Sequence, residues 1–187
     1  DKWMLTELHT ATETIREAYQ NYDFPKARKA MHETFWSVFC DNYLEIAKQR
    51  VYDDDENVKK VLTYALWTLI NVQAPVLAHV TEEIYQHIFR DVFEYETIHN
   101  APFPEAGDTY EDEHENGEVA IEGLRLIRKY KSNNGISLGA DIEEGTIEGP
   151  DVETVLKGFE SVFEGAGGIQ NLTLKNEEFM NFTVPEE

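Results

Sequence analysis

"FWSVFCDNYLEIAKQR", Phe35 to Arg50, sets an aromatic run beside Asp41, Asn42, Glu45 and Lys48. Plotted at about 100° per residue, Phe35, Trp36, Phe39, Cys40, Tyr43, Leu44, Ile46 and Ala47 fall on one broad half of a helix. Ser37, Asp41, Glu45 and Lys48 form a narrow stripe on the other half. The stretch reads as one amphipathic helix whose aromatic face lines the inside of a helical bundle.

The flanking segments supply the other helices. Leu5, Leu8, Thr12, Ile15, Tyr19 and Tyr22 recur at spacings of three and four and predict a helix from about Trp3 to Asn21. "NYDFPKA" breaks it: Asp23 can cap, and Pro25 suits the first turn of a second helix that runs to about Arg50. "YDDDENVKK" makes a turn whose acids favour the positive end of a third helix. Val58, Val61, Leu62, Ala65, Leu66, Leu69 and Ile70 give that helix its apolar face. Pro75 marks a break, and "HVTEEIYQHIF" opens a fourth helix with Thr81 as its cap. Four helices joined by short turns predict an antiparallel bundle over residues 1–98.

The composition then changes. His99 to Glu118 holds two prolines, two glycines, seven acids and no Lys or Arg, and reads as an acidic linker over 99–118. Residues 119–187 read as a small α+β unit. Val119 to Tyr130 is helical and stopped by "NNG". "ADIEEGTIEG" has the weak alternation of an edge strand, and Asp151 caps a short helix. "GIQNLTLKNEEFMNFTV" gives two strands joined by a polar turn. The fold class is thus mainly α, an antiparallel bundle followed by a small α+β C-terminal unit.

Composition excludes several functions. At 187 residues and 41% hydrophobic the chain can bury a core, yet it has no apolar run of membrane-spanning length and no signal peptide. It opens on Asp1 rather than Met, which points to a piece of a longer protein. One cysteine, Cys40, rules out an internal disulfide and is most simply a small buried hydrophobe. Glu-x-x-His spacing occurs only at Glu96 to His99 and Glu111 to His114, outside the bundle helices a di-metal site would need, and Glu83 with His87 reads as a surface pair. "EGAGGIQN" lacks the Lys-Ser/Thr of a phosphate loop. No catalytic residue and no metal ligand is expected here.

The formal charge of -21 argues against indiscriminate binding to nucleic acid, DNA included. The acids are unevenly spread, however: residues 1–90 hold 14 acids and 10 bases, and residues 91–187 hold 23 acids and 6 bases. Such acidity also suits concentrated salt, where about 3 Å of Debye length at 1 M screens self-repulsion. Against this background two basic groups stand out. Lys48 and Arg50 end the second helix and Lys59 and Lys60 begin the third, so antiparallel packing would gather them at one end of the bundle. Arg125, Arg128, Lys129 and Lys131 put four bases within seven residues. An anionic partner such as an RNA backbone fits both groups.

"DKWMLTEL", "YDFPKARKAMHETFWSVFCDNYLEIAKQR", "APVLAHVTEEIYQHIF" and "LRLIRKYKSNNGISLGADIE" together resemble the C-terminal part of archaeal valyl-tRNA synthetases. The most diagnostic residues are Phe39, Cys40, Asp41, Tyr43, Leu44, Glu45 and Lys48. The tryptophan usual before the late Pro-Glu is replaced in "APFPEA", and the end of the chain is unusually acidic. The synthetase signatures His-Ile-Gly-His and Lys-Met-Ser-Lys-Ser are absent.

The resemblance implies an anticodon-binding bundle of the class I synthetase type that holds the anticodon arm of the tRNA for valine. Backbone contacts fall to Lys48, Arg50, Lys59, Lys60, Arg125, Arg128, Lys129 and Lys131. It also implies a catalytic domain in the same longer chain, which would use ATP and magnesium to attach valine, with no cofactor in this piece. A cytoplasmic monomer is expected. The rival reading is a salt-adapted helical scaffold that binds protein and no RNA.

Overall fold

A computed structural model describes residues 1–185, which form two compact units. The first comprises Asp1–Tyr43 and Asp53–Tyr110; the second comprises Leu44–Tyr52 and the chain from Glu111 onward. This division differs from the boundaries 1–98, 99–118 and 119–187 read from the sequence, because the end of the second helix belongs to the second unit.

In the first unit, α1 (Lys2–Gln20) buries Met4, Leu8, Thr12, Ile15 and Ala18, the expected stripe shifted slightly. Asp23 caps α2 (Phe24–His32) by accepting from the Lys26 N–H at 3.1 Å. Asp55 caps α4 (Glu56–Gln73) by accepting from Asn57 N–H at 2.8 Å. Ile15, Ala18, Ala27, Met31 and Val72 form the core where α1, α2 and α4 meet. A second cluster joins Ile70 and Ala74, at the end of α4, to Tyr85, Phe89 and Ile98 from the helical turns that follow α5 (Ala78–Ile84). Thr81 does not cap α5: it lies inside that helix, buried, and its hydroxyl donates to the Leu77 carbonyl at 3.0 Å.

Between α2 and α3 (Leu44–Tyr52), residues Glu33–Tyr43 are wound as a π-helix with no intervening turn. This wider winding overturns the 100° wheel. The buried positions run Ala27, Met31, Thr34, Phe39, Tyr43, Ala47, with a step of five at the π segment. Phe39 and Tyr43 turn inward as expected, whereas Trp36 is 52% exposed and Cys40 only half-buried. Burial, and then the nearby Asp41 charge, push the Cys40 thiol up.

The acidic segment is not a free linker. Residues 101–110 run as an extended strap across the first unit. Asn71 donates to the Pro102 carbonyl at 3.2 Å, and the Arg16 guanidinium donates to the Pro104 carbonyl while lying 5.1 Å from the Phe103 ring centroid. His9 donates through Nδ1 to the Asp108 carbonyl at 2.7 Å, and the Tyr110 N–H donates to Thr6 Oγ1 at 2.9 Å. Pro102 and Pro104 favour the extended path. From Glu111 the acids begin α6 (Glu111–Asn133), where three of them occupy the first turn and complement the helix dipole.

In the second unit α6 buries Ala120, Leu124, Ile127 and Lys131 along one stripe and ends at Asn133, with Gly135 just beyond it at φ +66°. The sheet has the order β2-β1-β3. β1 (Ile142–Gly149) pairs in parallel with β2 (Ile169–Asn176) and antiparallel with β3 (Asn181–Thr183). Two short helices, α7 (Val152–Val155) and α8 (Glu160–Gly165), connect β1 to β2. Asp151 before α7 is left-handed, φ 52°, and gives no side-chain cap bond. β1 is thus the central strand, not an edge, and β2 and β3 flank it instead of pairing with each other. The reason lies in Gly145: a Cβ there would sit 2.7 Å from Phe182, so glycine lets the β3 ring pack on the strand while hiding its apolar alternation. Leu156, Phe163, Ile169 and Phe182 fill the core beneath.

Candidate nucleic-acid interface

The four bases expected at one bundle end divide between the units: Lys48 and Arg50 lie on α3 of the second, Lys59 and Lys60 on α4 of the first. Lys48 donates to both Glu45 oxygens at 2.9 Å, and this bond raises its pKa. Arg50 is half-buried. Lys59 is bonded by Asp54 and by Glu56, the latter at 2.9 Å, and both bonds raise its pKa. Lys60 is exposed. Ion pairs this open to solvent are weak and screened by salt, so a phosphate can displace the carboxylates.

Lys59 and Lys60 do line something. With Tyr64, Trp67, Phe89 and Phe93 they border a groove of about 400 Å³ on the first unit. Trp67 and Phe93 are stacked at 4.3 Å, and Tyr64 is held by a 3.1 Å hydrogen bond to His9 Nε2. Because His9 Nδ1 must donate to the Asp108 carbonyl, a neutral His9 accepts at Nε2 from the tyrosine hydroxyl.

The α6 group breaks up. Arg125 makes a two-pronged pair with Glu122 at 2.5 and 2.6 Å, which holds the Glu122 carboxyl below its ordinary range. Arg128 is half-buried and Lys129 exposed. Lys131 must be removed from the interface. It is 1% exposed, and its ammonium donates to the carbonyls of Leu138, Ala140 and Gly167 at 3.2, 2.7 and 2.7 Å. All three of its donors are used inside the unit. The sequence held the signal: Ala120, Leu124, Ile127 and Lys131 share one helical stripe, and Lys131 alone among the four bases falls on it.

The strongest surface was not singled out from the sequence. "FPKARKAMH", the whole of α2, has Lys26, Arg28, Lys29 and His32 and no acid in a chain of net charge -21. Phe24, Pro25, Arg28, Lys29 and His32 line one groove of about 510 Å³. Arg28 and His32 also line a second, of about 210 Å³, completed by Met31, Phe35, Trp36, Gln73, Val76 and Leu77. Phe24 is 56% exposed. Tyr22 stands beside it in a left-handed backbone conformation, φ 56°, with ring centroids 6.5 Å apart. Phe35 meets Trp36 edge-to-face at 5.1 Å and props the indole outward. Exposed rings interleaved with bases along one helix are the combination that single-stranded nucleic acid uses, bases stacking on the rings and phosphates meeting the cations.

That surface belongs to a helical anticodon-binding fold. The family described as "Anticodon-binding domain of tRNA ligase" matches residues 1–146, and the chain belongs to it. The chain is 37% identical over 150 residues to a valine–tRNA ligase of Haloarcula marismortui, covering 80% of this chain and 16% of the relative. It is 32% identical over 180 residues to the valine–tRNA ligases of Thermococcus kodakarensis and of Pyrococcus furiosus, covering 93% of this chain and 20% of each relative. The chain thus spans a fifth or less of the length of these relatives. Nothing in these comparisons points to a protein-binding scaffold. Among the described residues, no helix is long and apolar enough to cross a membrane.

Proposed function

We propose that the chain is the anticodon-arm-binding region of a valine–tRNA ligase. The observation that carries this reading is the acid-free helix α2, which presents Arg28, Lys29 and His32 between exposed Phe24 and Trp36 in a family of anticodon-binding domains. Unpaired loop bases stack on the aromatics and meet hydrogen-bonding edges there, while Arg28, Lys29, Lys59 and Lys60 fix the backbone without reading sequence. Arg125, Arg128 and Lys129 remain candidates for a second backbone contact, together with Lys48 and Arg50. The whole ligase would join valine to its tRNA with ATP and magnesium in a catalytic domain of the longer chain, acting as a cytoplasmic monomer. Chemical footprinting of an intact valine tRNA tests the reading. Protection confined to the anticodon loop and its stem is expected; protection elsewhere, or none, overturns it.

A further inference from the structure

Asn-Gly occurs twice in the chain, at Asn116–Gly117 in the second turn of α6 and at Asn134–Gly135 just past its end. Such a pair can close on itself, because glycine has no side chain to shield its amide nitrogen from the preceding carboxamide and turns freely toward it. The two pairs share their chemistry and differ in their surroundings. Gly117 is buried inside the helix. Its N–H points along the axis at the carbonyl four residues back, and the Asn116 side chain tilts toward the N-terminus, away from that nitrogen. At the other pair the helix unwinds through a glycine cap. There the Ile136 N–H donates to the Lys131 carbonyl at 2.8 Å and the Gly135 N–H to the Ser132 carbonyl at 3.3 Å. Asn134 and Gly135 are both exposed, and the place of a side chain on Gly135 is open space. Asn134 Nδ2 donates to the Tyr130 carbonyl at 2.9 Å and holds the carboxamide over the last turn. Ring closure needs that bond and the longer Gly135 bond to open, and fraying helix ends open at close to no cost in free energy, unlike buried turns.

We propose that Asn134 is a site of spontaneous deamidation in the folded protein and that Asn116 is not. The Gly135 amide nitrogen attacks Asn134 Cγ; a C–N bond forms there and the bond from Cγ to Nδ2 breaks. Ammonia leaves with the proton that the Gly135 nitrogen gives up. Water then opens the cyclic imide at either carbonyl. Opening at Cγ gives aspartate. Opening at the backbone carbonyl gives isoaspartate, whose main chain runs through the former side chain and is longer by a methylene. Overall a water is taken up and an ammonia released, with no oxidant or reductant. Either product loses the donor to Tyr130 and sets a carboxylate at the negative end of the α6 dipole. Isoaspartate also lengthens the backbone that the Ile136-to-Lys131 bond closes. The segment that follows carries the Leu138 and Ala140 carbonyls to the Lys131 ammonium, so the modification loosens that anchorage.

The folded chain is aged at mildly alkaline pH beside a sample unfolded in guanidinium chloride. Mass spectrometry of tryptic peptides follows both asparagines, and chromatography separates aspartate from isoaspartate. In the folded sample Asn134 should convert at least about tenfold faster than Asn116. In the unfolded sample the two rates should converge, since the fold alone tells the pairs apart. Equal rates in the folded chain, faster loss at Asn116, an unconverted Asn134, or the same gap in the unfolded sample overturns the proposal. The aged chain should also unfold at a lower urea concentration in its second unit than the fresh chain. Asn134→Gln, whose longer side chain closes the ring far more slowly, should keep its midpoint with age. An aged wild type of unchanged midpoint, or a glutamine variant that weakens alike, overturns the loosened anchorage.

Discussion

The Lys131 ammonium lies 2.7 Å from the Gly167 carbonyl and ties the last turn of α6 to the turn that leads into β2. A lysine that composition assigns to an RNA surface is thus an internal tether, and its removal should be felt as lost stability. Lys131→Met leaves three inward carbonyls short of a donor, at roughly 1–3 kcal/mol for a buried unsatisfied group. Urea unfolding should show the second unit destabilised by about that amount, with hairpin affinity below its transition unchanged.

Trp36 and Phe24 should carry stacking energy. Replacing either with alanine should cost about 1–3 kcal/mol of hairpin binding. Both side chains are more than half exposed, so circular dichroism melting should move little. Phe39→Ala is the contrasting case: that ring is 6% exposed, and its loss should cost about 3–5 kcal/mol of stability.

Arg28 and Lys29 should act through phosphate. Each alanine substitution is expected to lower the slope of log affinity against log salt by about 0.7, the value for a single-stranded contact. The loss should be the same for matched and mismatched hairpins, since backbone contacts carry no sequence information. Binding titrations over a salt series give both numbers.

Glu82 provides a pH handle on the bundle. Partial burial pushes its carboxyl up, but hydrogen bonds from Thr97, Gln86 and the Ile98 N–H outweigh that and hold it below the ordinary glutamate value. A lowered folded value means that the stabilisation is complete above the ordinary glutamate pKa. It is lost as pH falls through the depressed one. Acid unfolding followed by tryptophan fluorescence should therefore show a loss of stability confined to pH below the ordinary glutamate pKa in the wild type, with a flatter profile in Glu82→Gln.

Much of the fold was legible in the residues themselves. Asp23 with Pro25, and the acids of "YDDDENVKK" before the α4 stripe, mark helix starts by chemistry that acts over three or four residues; the Asp23 cap forms as expected, and the structure picks Asp55 from the acids as the second cap. What was not legible needed tertiary information. The step of five from Thr34 to Phe39 cannot be seen on a wheel that assumes a constant turn, so Trp36 was placed inside. β1 lost its alternation to Gly145, whose meaning appears only with Phe182 against it. The strap at 101–110 is bound by Thr6, His9, Arg16 and Asn71, partners dozens of residues away, and its local composition looks like a linker. For the site, the bases of α2 were plain in the sequence, but charge counts over whole halves of the chain diluted them.

The central claim is that these residues read an anticodon arm, and one titration tests it most directly. The chain is titrated with the valine anticodon hairpin and with the same hairpin carrying a swapped anticodon, over a range of salt. The account predicts tighter binding of the valine hairpin, both affinities falling as salt rises and the preference between them persisting. Equal affinity for the two hairpins, at every salt concentration, would contradict it.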